Sequence, residues 1–212
     1  MSKLSGVKYV RYWHDRHAKD GAAYVGNIHK PEDVWKQGER FWQAIVNAIE
    51  AVSMPDPTHI VELGCGVGRI TRLLAARWPK ARVTGIDITP GALATARIQV
   101  PEAKFINNYR IPFSVAAPDL VVTCTCLQHI TDPEVYADAV RSIKQRSKRK
   151  AWLVMLENNR PGPRAKHMAE RVVEDYQEDF SPEFEVRSVI EYGSRELDKE
   201  PHAVIVARKG GN

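Results

Sequence analysis

Short apolar runs alternate along the chain with longer stretches in which apolar residues recur every three or four positions. The runs fall at residues 60–63, 82–88, 104–107, 119–124, 151–156, 184–190 and 203–207. They are rich in Val, Ile and Leu, as expected of buried strands. Between them lie helical patterns. Val34, Gly38, Phe41, Trp42, Ile45, Ala48, Ile49 and Val52 give one apolar face to a helix that opens at Pro31 and ends before Met54-Pro55-Asp56-Pro57. Ile70, Leu73 and Leu74 begin a second helix, which stops at Trp78-Pro79. Thr89-Pro90 starts a third, through Leu93, Ala96 and Ile98. Thr131-Asp132-Pro133-Glu134 caps a fourth that ends near Ser147. A fifth is predicted after Pro161-Gly162-Pro163, through Met168, Val172 and Tyr176.

Alternating strands and helices predict an α/β fold, a mostly parallel sheet covered by helices on both faces. The short polar connection between the last two strands predicts a hairpin, hence one antiparallel strand. The first thirty residues are polar and aromatic, with Tyr9, Tyr12 and Trp13 among Arg11, His14, Arg16 and His17, then a glycine-containing stretch to Asn27. Residues 1–54 are expected to form a lid segment and a helix, packed on a main domain over residues 55–212.

Composition adds little that is restrictive. The 212 residues are 43% hydrophobic and 27% charged, enough for a sizeable core. No apolar run matches a membrane span, and Met1-Ser2-Lys3-Leu4-Ser5-Gly6 lacks the core of a signal peptide. Cys65, Cys124 and Cys126 are odd in number and lack metal-site spacing, so they read as reduced thiols of a cytoplasmic protein. The net charge of +5 is too mild to demand nucleic acid.

The chemistry is concentrated after the first strand, in Glu62-Leu63-Gly64-Cys65-Gly66-Val67-Gly68. Glycines at alternate positions permit positive φ and keep Cβ atoms out of a ligand's way. Such a turn is expected to point free backbone N–H groups over the strand end. It is not the dinucleotide pattern G-x-G-x-x-G, because position 69 is Arg69. Asp87 ends the second strand, nineteen residues after Gly68, where a carboxylate can accept both hydroxyls of a ribose.

The stretch resembles the first motif of class I S-adenosylmethionine-dependent methyltransferases, E/D-x-G-x-G-x-G. Two later segments are similar to motifs of the same family: Asn107-Asn108-Tyr109-Arg110-Ile111-Pro112-Phe113, with Asn107 in place of the usual acid, and Asp119-Leu120-Val121-Val122 leading to Leu127-Gln128-His129-Ile130. The resemblance covers about residues 55–208. It implies a three-layer, doubly wound sheet ordered 3-2-1-4-5-7-6 with strand 7 antiparallel. It also implies an enzyme that transfers a methyl group from S-adenosylmethionine to an O or N atom of a small molecule. By resemblance, Gly64, Cys65 and Gly66 pass beside the cofactor and Glu62 helps hold its methionine end. Asp87 binds the ribose, Ile88 meets the adenine face, Asn107 and Asn108 lie at the adenine, and Cys124 lies beside the methionine. Trp13 and Arg16 close over the cofactor, Arg16 toward its carboxylate and Trp13 near its sulfonium. His129 is the expected base if the acceptor must be deprotonated.

Two other readings stay open at this point. Residues 141–150 carry six basic residues in ten, which could serve a nucleic-acid or protein methyltransferase. The chain could also bind S-adenosylmethionine without catalysis.

Overall fold

The computed structural model describes residues 6–21, 31–159, 162, 166–192 and 201–211. The glycine-containing stretch through Asn27, the prolines at 161 and 163, and the polar connection at 193–200 lie outside the described residues. Seven strands form one sheet: β1 (His59–Leu63), β2 (Arg82–Asp87), β3 (Lys104–Asn107), β4 (Leu120–Cys124), β5 (Trp152–Asn158), β6 (Phe184–Tyr192) and β7 (His202–Lys209). Their order is β3-β2-β1-β4-β5-β7-β6. The first five strands pair in parallel, and β7 pairs antiparallel with both β5 and β6. This is the expected order and the expected hand of strand 7.

All residues of β1, β4 and β5 are buried, which explains their unbroken apolar runs. β6 is an edge strand whose burial alternates from residue to residue. Helices cover both faces. On one, α2 (Pro31–Ala51), α3 (Arg69–Arg77) and α4 (Pro90–Gln99) bury Phe41, Ile45, Ile70, Leu74 and Leu93 against Ile60, Val83 and Val122. On the other, α5 (Pro133–Arg146) and α6 (Val173–Phe180) bury Tyr136, Ile143, Tyr176 and Phe180 against Val61, Val121 and Leu153.

The N-terminal segment is more regular than its sequence suggests. Gly6–Asp20 form α1, which joins the second core through buried Tyr9 and Trp13. It crosses the end of β2, where His14 Nε2 donates to the Ile88 carbonyl at 2.8 Å. The last helix is shorter than expected. Met168 and Val172 precede it, because the chain there is tied elsewhere. The Ala169 N–H donates to the Gln128 carbonyl at 2.7 Å, and Arg171 Nη1 donates to the Leu127 and Ile130 carbonyls at 3.0 and 3.1 Å. Helix α6 starts where the Val172 N–H donates to Asp175 Oδ2 at 2.8 Å and the Val173 N–H to Asn159 Oδ1 at 3.1 Å.

Candidate active site

The carboxyl ends of β1, β2 and β4 open into a cavity of about 240 Å³. Ligands in doubly wound sheets bind at this end, where strand order reverses. Among the sequence-predicted residues, Trp13, Arg16, Glu62, Gly64, Cys65, Gly66, Asp87, Ile88, Asn108, Cys124 and His129 all line it. Asn107 does not. Its Nδ2 donates to the Asp87 carbonyl at 3.0 Å, which turns the amide back along β2. Asn108 faces the cavity instead, with its Oδ1 accepting from the N–H groups of Tyr109 and Arg110.

The glycine turn works differently from the expectation. Several of its N–H groups are engaged within the protein. Those of Gly64 and Cys65 donate to the Ile86 carbonyl at 2.7 and 3.0 Å, and that of Gly66 to Asp87 Oδ2 at 2.9 Å. The turn therefore offers a ligand space rather than donors. At Gly64, φ is 78°, and a Cβ there would sit 2.3 Å from Cys126 Sγ.

Asp87 couples the two strand ends. One oxygen accepts from Gly66 and the other from the Thr89 N–H at 2.8 Å, so it also caps the approach to α4. Burial raises its pKa against those hydrogen bonds. Glu62 is buried below the turn and accepts from the Thr71 hydroxyl. Burial pushes its pKa up to about 7, against the pull of Thr71 and Arg69. The thiols are similarly held neutral by burial, Cys124 at about 12.

Sequence reasoning missed Arg69. It read only as the residue that spoils a dinucleotide motif, yet it is 5% exposed and lines the cavity from the start of α3. It donates to the Gln37 side chain and, at 3.0 Å, to Thr125 Oγ1, with its guanidinium 5.3 Å from the Phe41 ring centre. Both hydrogen-bond partners are neutral. A buried guanidinium facing a cavity with such partners favours an anion there.

The other side of the cavity comes from α1, a short 3₁₀ turn at Leu127–His129 and residues 167–168. Its rings form one cluster: Trp13 lies 5.0 Å from His129, His129 stacks 5.6 Å from His167, and His167 stacks 5.3 Å from Tyr12. His129 Nδ1 donates to the His167 carbonyl at 3.1 Å, and its Nε2 faces Gln128 Nε2 at 3.3 Å. Burial depresses its pKa to about 3, so the ring is neutral and a weak base.

Behind this turn sits a second residue that sequence reasoning missed. Glu157, buried at the end of β5, accepts from Thr123 Oγ1 at 2.8 Å and from the N–H groups of Cys126, Leu127 and Gln128 at 3.1–3.2 Å. Arg171 holds the turn's carbonyls from the other end, with its guanidinium 3.3 Å from the Tyr136 ring centre. The signal was legible in principle: Glu157-Asn158-Asn159 is a polar run that ends a buried parallel strand.

Five of the six basic residues in the run make contacts within the chain. Arg141 pairs with Asp138, Lys144 with Glu183 at 2.6 Å and Lys148 with Asp119 at 3.0 Å. Arg146 donates to the Val115 carbonyl at 3.2 Å, and Arg149 to that of Gly211.

Residues 60–149 match the family model described as a methyltransferase domain. That match covers about two fifths of the chain, and the sheet order above is that of the methyltransferase fold. A trans-aconitate 2-methyltransferase of Enterobacter sp. strain 638 is 40% identical over 82 residues, 38% of this chain and 32% of that protein. One of Klebsiella pneumoniae strain 342 is 43% identical over 77 residues, 36% of this chain and 30% of that protein. The chain thus spans about a third of the length of the curated relatives it matches. Among solved structures, the N-methyltransferase NodS of Bradyrhizobium japonicum WM9, in complex with S-adenosylhomocysteine, superposes with TM-score 0.70 at 17% identity, covering 95% of this chain and 98% of that one. An S-adenosylmethionine-dependent methyltransferase of Mesorhizobium loti gives 0.63 at 20%, covering 82% and 99%. No described helix is long and apolar enough to cross a membrane.

Proposed function

We propose that this protein transfers a methyl group from S-adenosylmethionine to an O or N atom of a small molecule. The observation that carries the reading is the pairing of opposite buried charges, Glu62 and Arg69, in one cavity with Asp87 and the side-chain-free Gly64. A carboxylate and a guanidinium suit the ammonium and carboxylate of an amino-acid end. Asp87 suits a ribose diol, with Ile88 and Asn108 beside it for the base. In this reading Arg69, rather than Arg16, takes the cofactor's carboxylate, and Arg16 and Trp13 belong to the acceptor side. The cofactor supplies an activated methyl on sulfur with a neutral leaving group. The chain's residues align the acceptor and exclude water. Five of the six basic residues in 141–150 are engaged in contacts within the chain, which lessens the case for a nucleic-acid acceptor.

Calorimetric titration with S-adenosylhomocysteine tests this reading. Binding is expected, and Asp87→Ala should weaken it by about 1.5–3 kcal/mol through lost hydrogen bonds to a carboxylate. No binding at millimolar concentration refutes the function.

The raised pKa of Glu62 sets a pH dependence. An ammonium ligand favours the ionised carboxylate, so affinity should rise between pH 6 and 8, and binding below about pH 7 should release a proton. The free protein carries the opposite sign. A carboxyl raised above its ordinary value contributes stability at low pH that is lost as pH rises through about 7. Titrations in two buffers of different ionisation enthalpy measure the proton, and Glu62→Gln should abolish it.

A further inference from the structure

Resting on the methyl-transfer reading above, we propose that the acceptor is a small carboxylic acid methylated at its carboxylate oxygen, with Arg16 holding the acid against the Trp13, His129 and His167 rings. The first argument is charge. The acids among the described lining residues, Glu62 and Asp87, both lie at the ends of β1 and β2. The side built by α1, the 3₁₀ turn and residues 167–168 presents Arg16, whose guanidinium carbon is 5.8 Å from the Trp13 ring centre and whose Nη1 donates to the Tyr12 hydroxyl at 3.1 Å. Asp20, 3.7 Å from Arg16 Nε, is outside the cavity lining. Glu157 is also outside it, with both oxygens spent on the turn's donors. With a guanidinium and no carboxylate among the described lining residues on this side, an anionic acceptor is favoured there over an ammonium.

The second argument is proton supply. A hydroxyl or ammonium acceptor has to lose a proton. Both ring nitrogens of His129, the residue of the turn best placed to take it, are engaged within the protein. Burial keeps that ring neutral and the Cys124 thiol protonated. A carboxylate is already ionised at neutral pH and needs no base. The step balances without a proton. A lone pair of the carboxylate oxygen attacks the methyl carbon, the C–O bond forms as the C–S bond breaks, and its electron pair stays on sulfur. The products are a methyl ester and neutral S-adenosylhomocysteine.

The test uses S-adenosylmethionine tritiated in its methyl group. Probe acceptors are trans-aconitate, succinate, fumarate, benzoate and a deproteinised cell extract, with the matching amides and alcohols alongside. The expected product is labelled only from the acids and releases volatile labelled methanol in mild alkali. Arg16→Ala should raise KM for the best acid at least tenfold and leave S-adenosylhomocysteine affinity within twofold, and Arg16→Lys should recover part of the loss. Alkali-stable label, transfer confined to amines or alcohols, an unchanged KM in Arg16→Ala, or cofactor binding with no ester from any acid overturns the proposal. Failure to bind S-adenosylhomocysteine at all is a different result and overturns the methyltransferase reading itself.

Discussion

Gly64→Ala should abolish measurable cofactor binding and lower the melting temperature by roughly 10 °C. Two independent costs meet at this position. The backbone sits at φ 78°, where a side chain costs about 1–2 kcal/mol. The new Cβ would lie 2.3 Å from Cys126 Sγ and 2.5 Å from its Cβ, an overlap that costs about 1–3 kcal/mol even after neighbours shift. A total of about 3 kcal/mol corresponds to roughly 6–12 °C in a chain of this size. The methyl also intrudes on the space reserved for the ligand. Adding Cys126→Gly should restore much of the stability but little of the affinity, because the φ cost and the intrusion remain. Thermal unfolding and titration with S-adenosylhomocysteine separate the two. A single mutant as stable as the parent, with undiminished affinity, would show that the turn has another shape.

The sheet was legible because its strands are buried on both faces. Apolar runs such as residues 60–63 and 151–156 have no helical competitor at that length, and polar residues or glycine mark their ends. Asp87 and the glycine turn were legible because position along a parallel strand fixes which end a residue occupies. Other features depended on distant partners. Whether α1 is a helix turns on Tyr9 and Trp13 entering a core formed by β1 and β2, which local pattern does not reveal. Asn107 and Asn108 are adjacent, and which amide faces the cavity was settled by a hydrogen bond to the Asp87 carbonyl. Arg69 looked like an ordinary helix residue until Gln37 of α2 and Thr125 after β4 closed around it. His129 lines the cavity, but its suitability as a base depended on burial against Trp13, a contact 116 positions away in sequence.

The same dependence on distant partners makes Glu157 the position where a single change should reach furthest. Its carboxylate is the acceptor for Thr123 Oγ1 and three successive backbone N–H groups of the turn that presents Gln128 and His129 to the cavity. Glu157→Ala leaves four buried donors without that acceptor, at about 1–3 kcal/mol each if none finds water. With partial hydration, a loss of about 3–5 kcal/mol is expected, comparable to breaking a buried charged network. Glu157→Gln keeps one acceptor oxygen but turns an NH₂ group toward some of the same donors, so about 1–2 kcal/mol is expected. Burial raises the Glu157 pKa despite the four donors, so the removed charge is already a costly one, which limits the Gln penalty. Catalysis should suffer more than stability in Glu157→Gln. The turn would shift against Trp13 and Ile130, and methyl transfer should fall by about 10²-fold, as expected when a reacting group is displaced by about 1 Å. S-adenosylhomocysteine affinity should stay within a few-fold, since Gly64, Arg69 and Asp87 are untouched. Urea unfolding, single-turnover transfer and calorimetry on the two variants measure the three quantities separately. A Glu157→Gln protein that is as stable as the parent and transfers methyl at full rate would show that the turn holds its shape without the carboxylate.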